Sequence, residues 1–206
     1  MLLQIHPENP EPRKIKQVVE ILKNDGVIIY PTDTIYGLGC SIYSHKAMER
    51  ICRIKNIDPE KANLSFICSD LSNISDFTRP ISTPVFKLMK RLLPGPFTFL
   101  LNANNELPKL LKNKKKTVGI RVPNSPIVRT IVDELNAPLL SSSIKNIEDD
   151  FLEYPTDPQE IYKQYHHQVD LIIDGGYGGN IASTIIDCTG DSPVLNRKGL
   201  GEWLED

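Results

Sequence analysis

Residues 27–40 read V-I-I-Y-P-T-D-T-I-Y-G-L-G-C. Val27, Ile28, Ile29 and Tyr30 are β-branched or aromatic, which predicts a central strand, and Pro31 removes a backbone donor and ends its ladder. Hydroxyls and a carboxylate begin where the strand stops, at Thr32, Asp33, Thr34 and Tyr36. Gly37 and Gly39 permit close backbone approach or a positive φ. The segment therefore reads as a polar turn at the carboxyl end of a strand, where open α/β sheets bind ligands. An ordinary strand-to-helix connection capped by Thr and Asp fits the same residues equally well.

Upstream, Ile15, Val18, Val19 and Leu22 recur at helical spacing after a Pro-rich lead-in, and Asp25-Gly26 stops that helix. Downstream, Ser44 is a candidate N-cap for a helix running through Met48, Ile51 and Cys52 toward Lys55. Its last turns gather Arg50, Arg53 and Lys55, which serve either as ordinary partners of the helix dipole or as a phosphate clamp. Strands are predicted at 64–68, 98–101, 117–122, 169–173, 183–189 and 194–196, and helices around 85–92, 127–135 and 158–165, the last capped by Asp157. Alternation of helical and strand patterns indicates an α/β fold, and 206 residues suit one domain, 1–206, with a full core.

Charge narrows the function classes. Lys plus Arg total 24 against 26 Asp plus Glu, a net charge of −2, so the chain lacks the overall basic footprint of non-specific nucleic-acid binding. The dense basic run Lys109, Lys112, Lys114, Lys115 and Lys116 has no aromatic residue for base stacking and reads as a solvated face. Cys40, Cys52, Cys68 and Cys188 form no C-x-x-C pair and have no His at ligand spacing, so reduced buried thiols in a cytoplasmic protein are expected. No apolar run approaches the roughly 20 residues of a membrane span, and none resembles a signal peptide. Gly175, Gly176, Gly178 and Gly179 follow a strand but lack the order and the Lys of a nucleotide loop. The acidic stretch 146–158 reads as a surface loop.

Two further features carry chemistry. Arg121 interrupts the strand pattern T-V-G-I-R-V and needs a partner, either a structural carboxylate or a substrate carboxylate or phosphate gripped by its planar fork. Ser141, Ser142 and Ser143 follow Pro138-Leu139-Leu140 and repeat, at a second strand end, the hydroxyl chemistry of the opening stretch.

Taken together, P-T-D-T-I-Y-G-L-G at 31–39, L-P-G-P-F-T-F-L-L at 93–101, V-G-I-R-V-P at 118–123, S-T-I-I-D-C-T at 183–189 and the terminal R-K-G resemble the YrdC/YciO family over nearly the whole chain. The resemblance implies a single α/β domain whose twisted mixed sheet, flanked by helices, surrounds a concave basic cavity. It also implies synthesis of threonylcarbamoyl-adenylate from L-threonine, bicarbonate and ATP with release of pyrophosphate, for threonylcarbamoyladenosine modification of tRNA. Magnesium would be carried by the nucleotide, and the partners would be those substrates with RNA or tRNA-modification proteins. Double-stranded RNA binding without turnover is the alternative attached to the same family.

Carried over by position, the resemblance implies that Thr32 and Arg121 contact threonine, Arg121 through its carboxylate, and that Ser141 and Ser183 face the substrate. Thr117, Ser143 and Arg197 fall on the nucleotide and phosphate side. The chain departs from the characterised synthases at Arg53-Ile54-Lys55, where they carry Lys-x-Arg, and at Ser143-Ile144-Lys145, where they carry Ser-x-Asn. Both departures are similar to the YciO branch, and they make Arg53, Lys55 and Lys145 the expected cationic phosphate ligands. No protein nucleophile is expected, and the C-terminal domain of longer relatives is expected to be absent.

Overall fold

In the computed structural model, which describes residues 1–58, 64–104, 116–144 and 154–203, the opening stretch becomes a hairpin. A short strand β1 (Leu2–Gln4) and helix α1 (Pro12–Lys23) precede it. Strand β2 (Ile28–Tyr30) then pairs antiparallel with β3 (Gly37–Ser41), with Tyr30 opposite Gly37 and Ile28 opposite Gly39. The glycines therefore belong to a fully buried strand, and the polar turn is confined to the residues before them; no helix follows directly. Neither glycine has a positive φ. Close approach is what they supply: a Cβ on Gly39 would lie 2.8 Å from Tyr30 Cε1 and 2.9 Å from the Leu140 carbonyl oxygen.

The chain continues through α2 (His45–Ile54), β4 (Ser65–Ile67), α3 (Thr83–Leu92), β5 (Phe97–Asn102) and β6 (Thr117–Arg121). After these come α4 (Pro126–Leu135), β7 (Leu139–Ser143), α5 (Pro158–Tyr165), β8 (Leu171–Asp174), β9 (Thr184–Asp187) and β10 (Val194–Arg197). The strands form one mixed sheet in the order β1-β8-β2-β3-β7-β4-β6-β5-β9-β10. Two expected caps are made: Ser44 Oγ accepts from the Ala47 amide at 3.1 Å and Asp157 Oδ1 from Gln159 at 2.8 Å. Strand β1 has no signature in the sequence, because three residues before a Pro-rich segment carry no periodic signal; parallel pairing with β8 makes it.

Register explains the cavity. Successive side chains of a strand point to opposite faces, and cross-strand partners share a face. Cys40, Leu140, Phe66, Ile120, Phe99 and Ile186 lie opposite one another across six strands, an apolar row under α2, α3 and α5. One residue along, the row on the other face reads Gly39, Ser141, Ser65 and Gly119. Helices α1 and α4 cover the neighbouring part of that face, where Ile28, Tyr30, Leu139, Leu171 and Ile173 supply an apolar floor. The small residues leave a hollow beyond it.

All four cysteines are buried and free, as expected. Among the described residues, no helix is long and apolar enough to cross a membrane.

Candidate active site

A cavity of about 140 Å³ opens over the small-residue row, with Gly37, Ser65 and Ser141 in its floor and Arg121, Ser183 and Arg197 among its walls. Strand β6 aims Arg121 into it while the residue stays only 9% exposed. Arg121 Nη2 donates to Asp33 Oδ1 and to Thr34 Oγ1, each at 3.0 Å. Its buried Nε has no partner among the described residues. Burial lowers the guanidinium pKa; Asp33 opposes this, and the charge of Arg197 adds to it. An Arg remains charged in any case, so two guanidiniums and one carboxylate leave the cavity positive.

Asp33 is the partner that the strand pattern demanded for Arg121. Its other oxygen accepts from the Asn124 amide at 3.0 Å, so the turn after β2 is tied to the start of α4. Thr32 lies behind this turn: its hydroxyl donates to the Ile35 carbonyl at 2.7 Å, accepts from the Thr34 amide at 3.1 Å and stands 3.1 Å from Thr34 Oγ1. It is not in the cavity wall and reaches Arg121 only through Thr34.

On the floor, Tyr30 donates to Ser141 Oγ at 2.5 Å. Burial pushes the Tyr30 pKa up to about 12, so the phenol stays protonated, and the Ser141 hydroxyl keeps its own proton for a ligand acceptor. On the far wall, Ser183 Oγ is 2.8 Å from Thr98 Oγ1. Arg197 Nη2 donates to the Ser183 carbonyl at 2.8 Å, and the Leu200 amide bonds to Ala182 at 2.9 Å, so the terminal R-K-G-L-G segment folds back along the strand entry. Thr98, Ser65 and Tyr30 belong to the site without a mark in the sequence: a lone hydroxyl in an apolar strand has no local signature.

Ser143 also lines the cavity. Lys55, only 4% exposed, donates to the Ser143 carbonyl at 2.8 Å, so the end of α2 is drawn toward the end of β7. Arg53 is exposed and lies outside the cavity wall. Arg50 is no part of a clamp: it pairs with Asp170 at 2.6 Å and donates to the Gln168 carbonyl. Thr117 starts β6 on the same face as Arg121, four residues and about 13 Å away along the strand, outside the cavity wall. Lys145, the basic run 109–115 and most of the acidic stretch lie outside the described residues.

The Sua5/YciO/YrdC family model, described as "Telomere recombination", matches residues 20–199. The chain belongs to the Sua5/YciO/YrdC family. Within that family it is 46% identical to YciO of Escherichia coli K12 over 199 residues, covering 96% of this chain and 95% of that one. The crystal structure of E. coli YciO superposes with a TM-score of 0.89 at 43% identity, covering 98% and 97% of the two chains. Among Sua5/YciO/YrdC proteins with a named activity, the threonylcarbamoyl-AMP synthase of Bacillus subtilis is 30% identical over 188 residues, 90% of this chain and 53% of that enzyme. The chain thus spans about half that enzyme's length. Sua5 of P. abyssi complexed with L-threonine superposes with a TM-score of 0.86 at 26% identity, over 97% of this chain and 57% of that one.

Proposed function

We propose that the protein is a threonylcarbamoyl-adenylate synthase-type nucleotidyltransferase that uses L-threonine, bicarbonate and ATP in the threonylcarbamoyladenosine modification of tRNA. The observation that carries this reading is Arg121, a buried guanidinium anchored through Nη2 by Asp33 and Thr34 in the wall of a small polar cavity. A fixed guanidinium in the wall of a polar cavity suits a carboxylate, to which it offers charge-assisted hydrogen bonds. The binding of L-threonine by a family member of the same fold supports the choice of amino acid.

The chemistry requires positioning and charge stabilisation. Bicarbonate takes up a proton and loses water to give carbon dioxide, and the threonine amine adds to that carbon, giving a carbamate and returning a proton. A carbamate oxygen then forms a bond to the α-phosphorus of ATP as the bond to the β-phosphate oxygen breaks, and pyrophosphate leaves with that electron pair. A cavity built from hydroxyls and guanidiniums orients such reactants and offsets the charge that develops on phosphate. At about 140 Å³ it has room for the amino acid, with the nucleotide extending beyond it. Ser141, Ser183 and Arg121 would hold threonine; Ser143, Lys55, Arg53, Thr117, Lys145 and Arg197 are the proposed nucleotide side. Magnesium would enter with the phosphates, as it usually does at nucleotide sites.

The test is pyrophosphate release by purified protein with ATP, bicarbonate and one amino acid at a time, with products read by mass spectrometry. Threonine-dependent release with a threonylcarbamoyl-adenylate mass is expected. Release that is indifferent to the amino acid, or ATP binding without release, would overturn the reading.

A further inference from the structure

A larger hollow, about 910 Å³, lies at the carboxyl ends of β4 and β6 and is separate from the site above. Strand β6 divides the two: Arg121 faces the polar cavity, and the next residue, Val122, lines the hollow. Leu71, Ile74, Ile81, Phe86, Leu93 and Val122 give it an apolar lining, and Phe86 is 38% exposed. Single exposed apolar side chains are ordinary. A concave apolar surface of this volume, with a few convergent polar groups, is the form that small-ligand sites take.

Cations outnumber acids among the charged groups that line it, three to one among the described residues. Arg79 precedes α3, Lys90 lies in its last turn and Arg129 sits on α4, so three separate segments bring cations to one rim. Among the described residues the Arg79 and Lys90 side chains make no hydrogen bond or ion pair, and Arg129 uses only Nε, on the Ser69 carbonyl at 3.0 Å. Among the described residues Asp70 is the one carboxylate in the lining, and its Oδ1 accepts from the Ser72 amide at 2.7 Å. In a chain with more acids than bases, 26 against 24, this excess is local. Apolar walls with a mainly cationic rim complement a molecule with an apolar body and one acid group.

We propose that this hollow is a second binding site, for a small amphipathic anion that carries a carboxylate or a phosphate on an aliphatic or aromatic body. The site does not depend on the reading of the polar cavity. Calorimetry with the full chain, using decanoate, decyl phosphate and decanol below their aggregation concentrations, tests it. One acid per chain should bind at least 10-fold more tightly than decanol, and the tighter of the two acids names the acid group. The double variant Arg79→Gln, Lys90→Gln should bring the acid down to the alcohol's affinity, and Phe86→Ser should weaken acid and alcohol together. All three positions are exposed, so these changes leave the core intact. Arg121→Lys should leave acid binding unchanged. Equal binding of acid and alcohol, no binding of either acid, wild-type acid binding by the double variant, or loss of acid binding in Arg121→Lys would each overturn the proposal.

Discussion

Arg121 and Asp33, 88 residues apart, form an ion pair of 3.0 Å whose side chains are only 11% and 9% exposed. The pair joins β6 to the turn after β2, and through Asp33 and the Asn124 amide to the start of α4. Breaking a buried pair by removing one partner leaves an uncompensated charge and costs about 3–5 kcal/mol. Asp33→Ala should therefore be destabilised by about that amount in urea denaturation. A loss below about 1 kcal/mol would show that the guanidinium is satisfied without Asp33.

Arg121→Lys keeps the charge and removes the planar fork. Threonine-dependent turnover should fall about 10-fold or more, equivalent to about 1.4 kcal/mol, with the loss in the threonine titration and little change for ATP. Equal losses for both ligands would assign Arg121 to the phosphates or to the fold.

Lys55 and Arg53 separate a buried cation from an exposed one on the same helix end. Lys55→Ala removes a charge-assisted hydrogen bond to the Ser143 carbonyl, worth about 1.5–3 kcal/mol, and a charge beside the proposed nucleotide side, so stability should drop by about that amount and ATP should bind more weakly. Arg53→Ala should leave the melting temperature unchanged and weaken ATP only if the exposed guanidinium meets a phosphate. Calorimetric titration of ATP against both variants decides this, and unchanged affinity in both would remove the helix end from the nucleotide site.

Gly39→Ala places a methyl 2.8 Å from Tyr30 Cε1 and 2.9 Å from the Leu140 carbonyl, both within a packed sheet. Overpacking of this kind costs about 1–3 kcal/mol, and displacement of Tyr30 should also disturb its hydrogen bond to Ser141. Chemical denaturation should show the stability loss, with impaired threonine use beside it. A variant with wild-type stability would mean that the strands separate without cost.

Alkaline pH should unfold the protein. Burial pushes the Cys40 and Cys68 thiols and the Tyr30 and Tyr36 phenols up to about 12, and Cys188 to about 11. Each group is neutral when folded, so its contribution is fully present below the unfolded pKa, about 8.5 for Cys and 10 for Tyr, and is lost as pH rises toward 11–12. Melting temperature should be level between pH 6 and about 8 and fall steeply above about 9. In the folded state at pH 7 the thiols should react slowly with iodoacetamide, and all four should react in denaturant; rapid labelling of the folded protein would contradict their burial.

Local chemistry in the sequence was enough to find most elements. Apolar spacing predicted α1 through Ile15, Val18, Val19 and Leu22, the Ser44 and Asp157 hydroxyl and carboxylate marked two helix starts, and β-branched runs marked β2, β6 and β8. Arg121 in mid-strand was legible as a cation in need of a partner, because a buried charge is costly wherever it sits. The motifs also led to Ser141, Ser143, Ser183 and Arg197, which the fold does gather around one cavity. Strand periodicity, however, says which face a side chain takes and nothing about its neighbour across the ladder. Only pairing of β3, β7, β4 and β6 sets Gly39, Ser141, Ser65 and Gly119 side by side, converts Gly37 and Gly39 from presumed turn residues into strand, and brings Asp33 to Arg121. The cavity exists because small side chains distant along the chain fall in register on one face, a relation that hydrogen-bonded pairing creates and no local pattern contains.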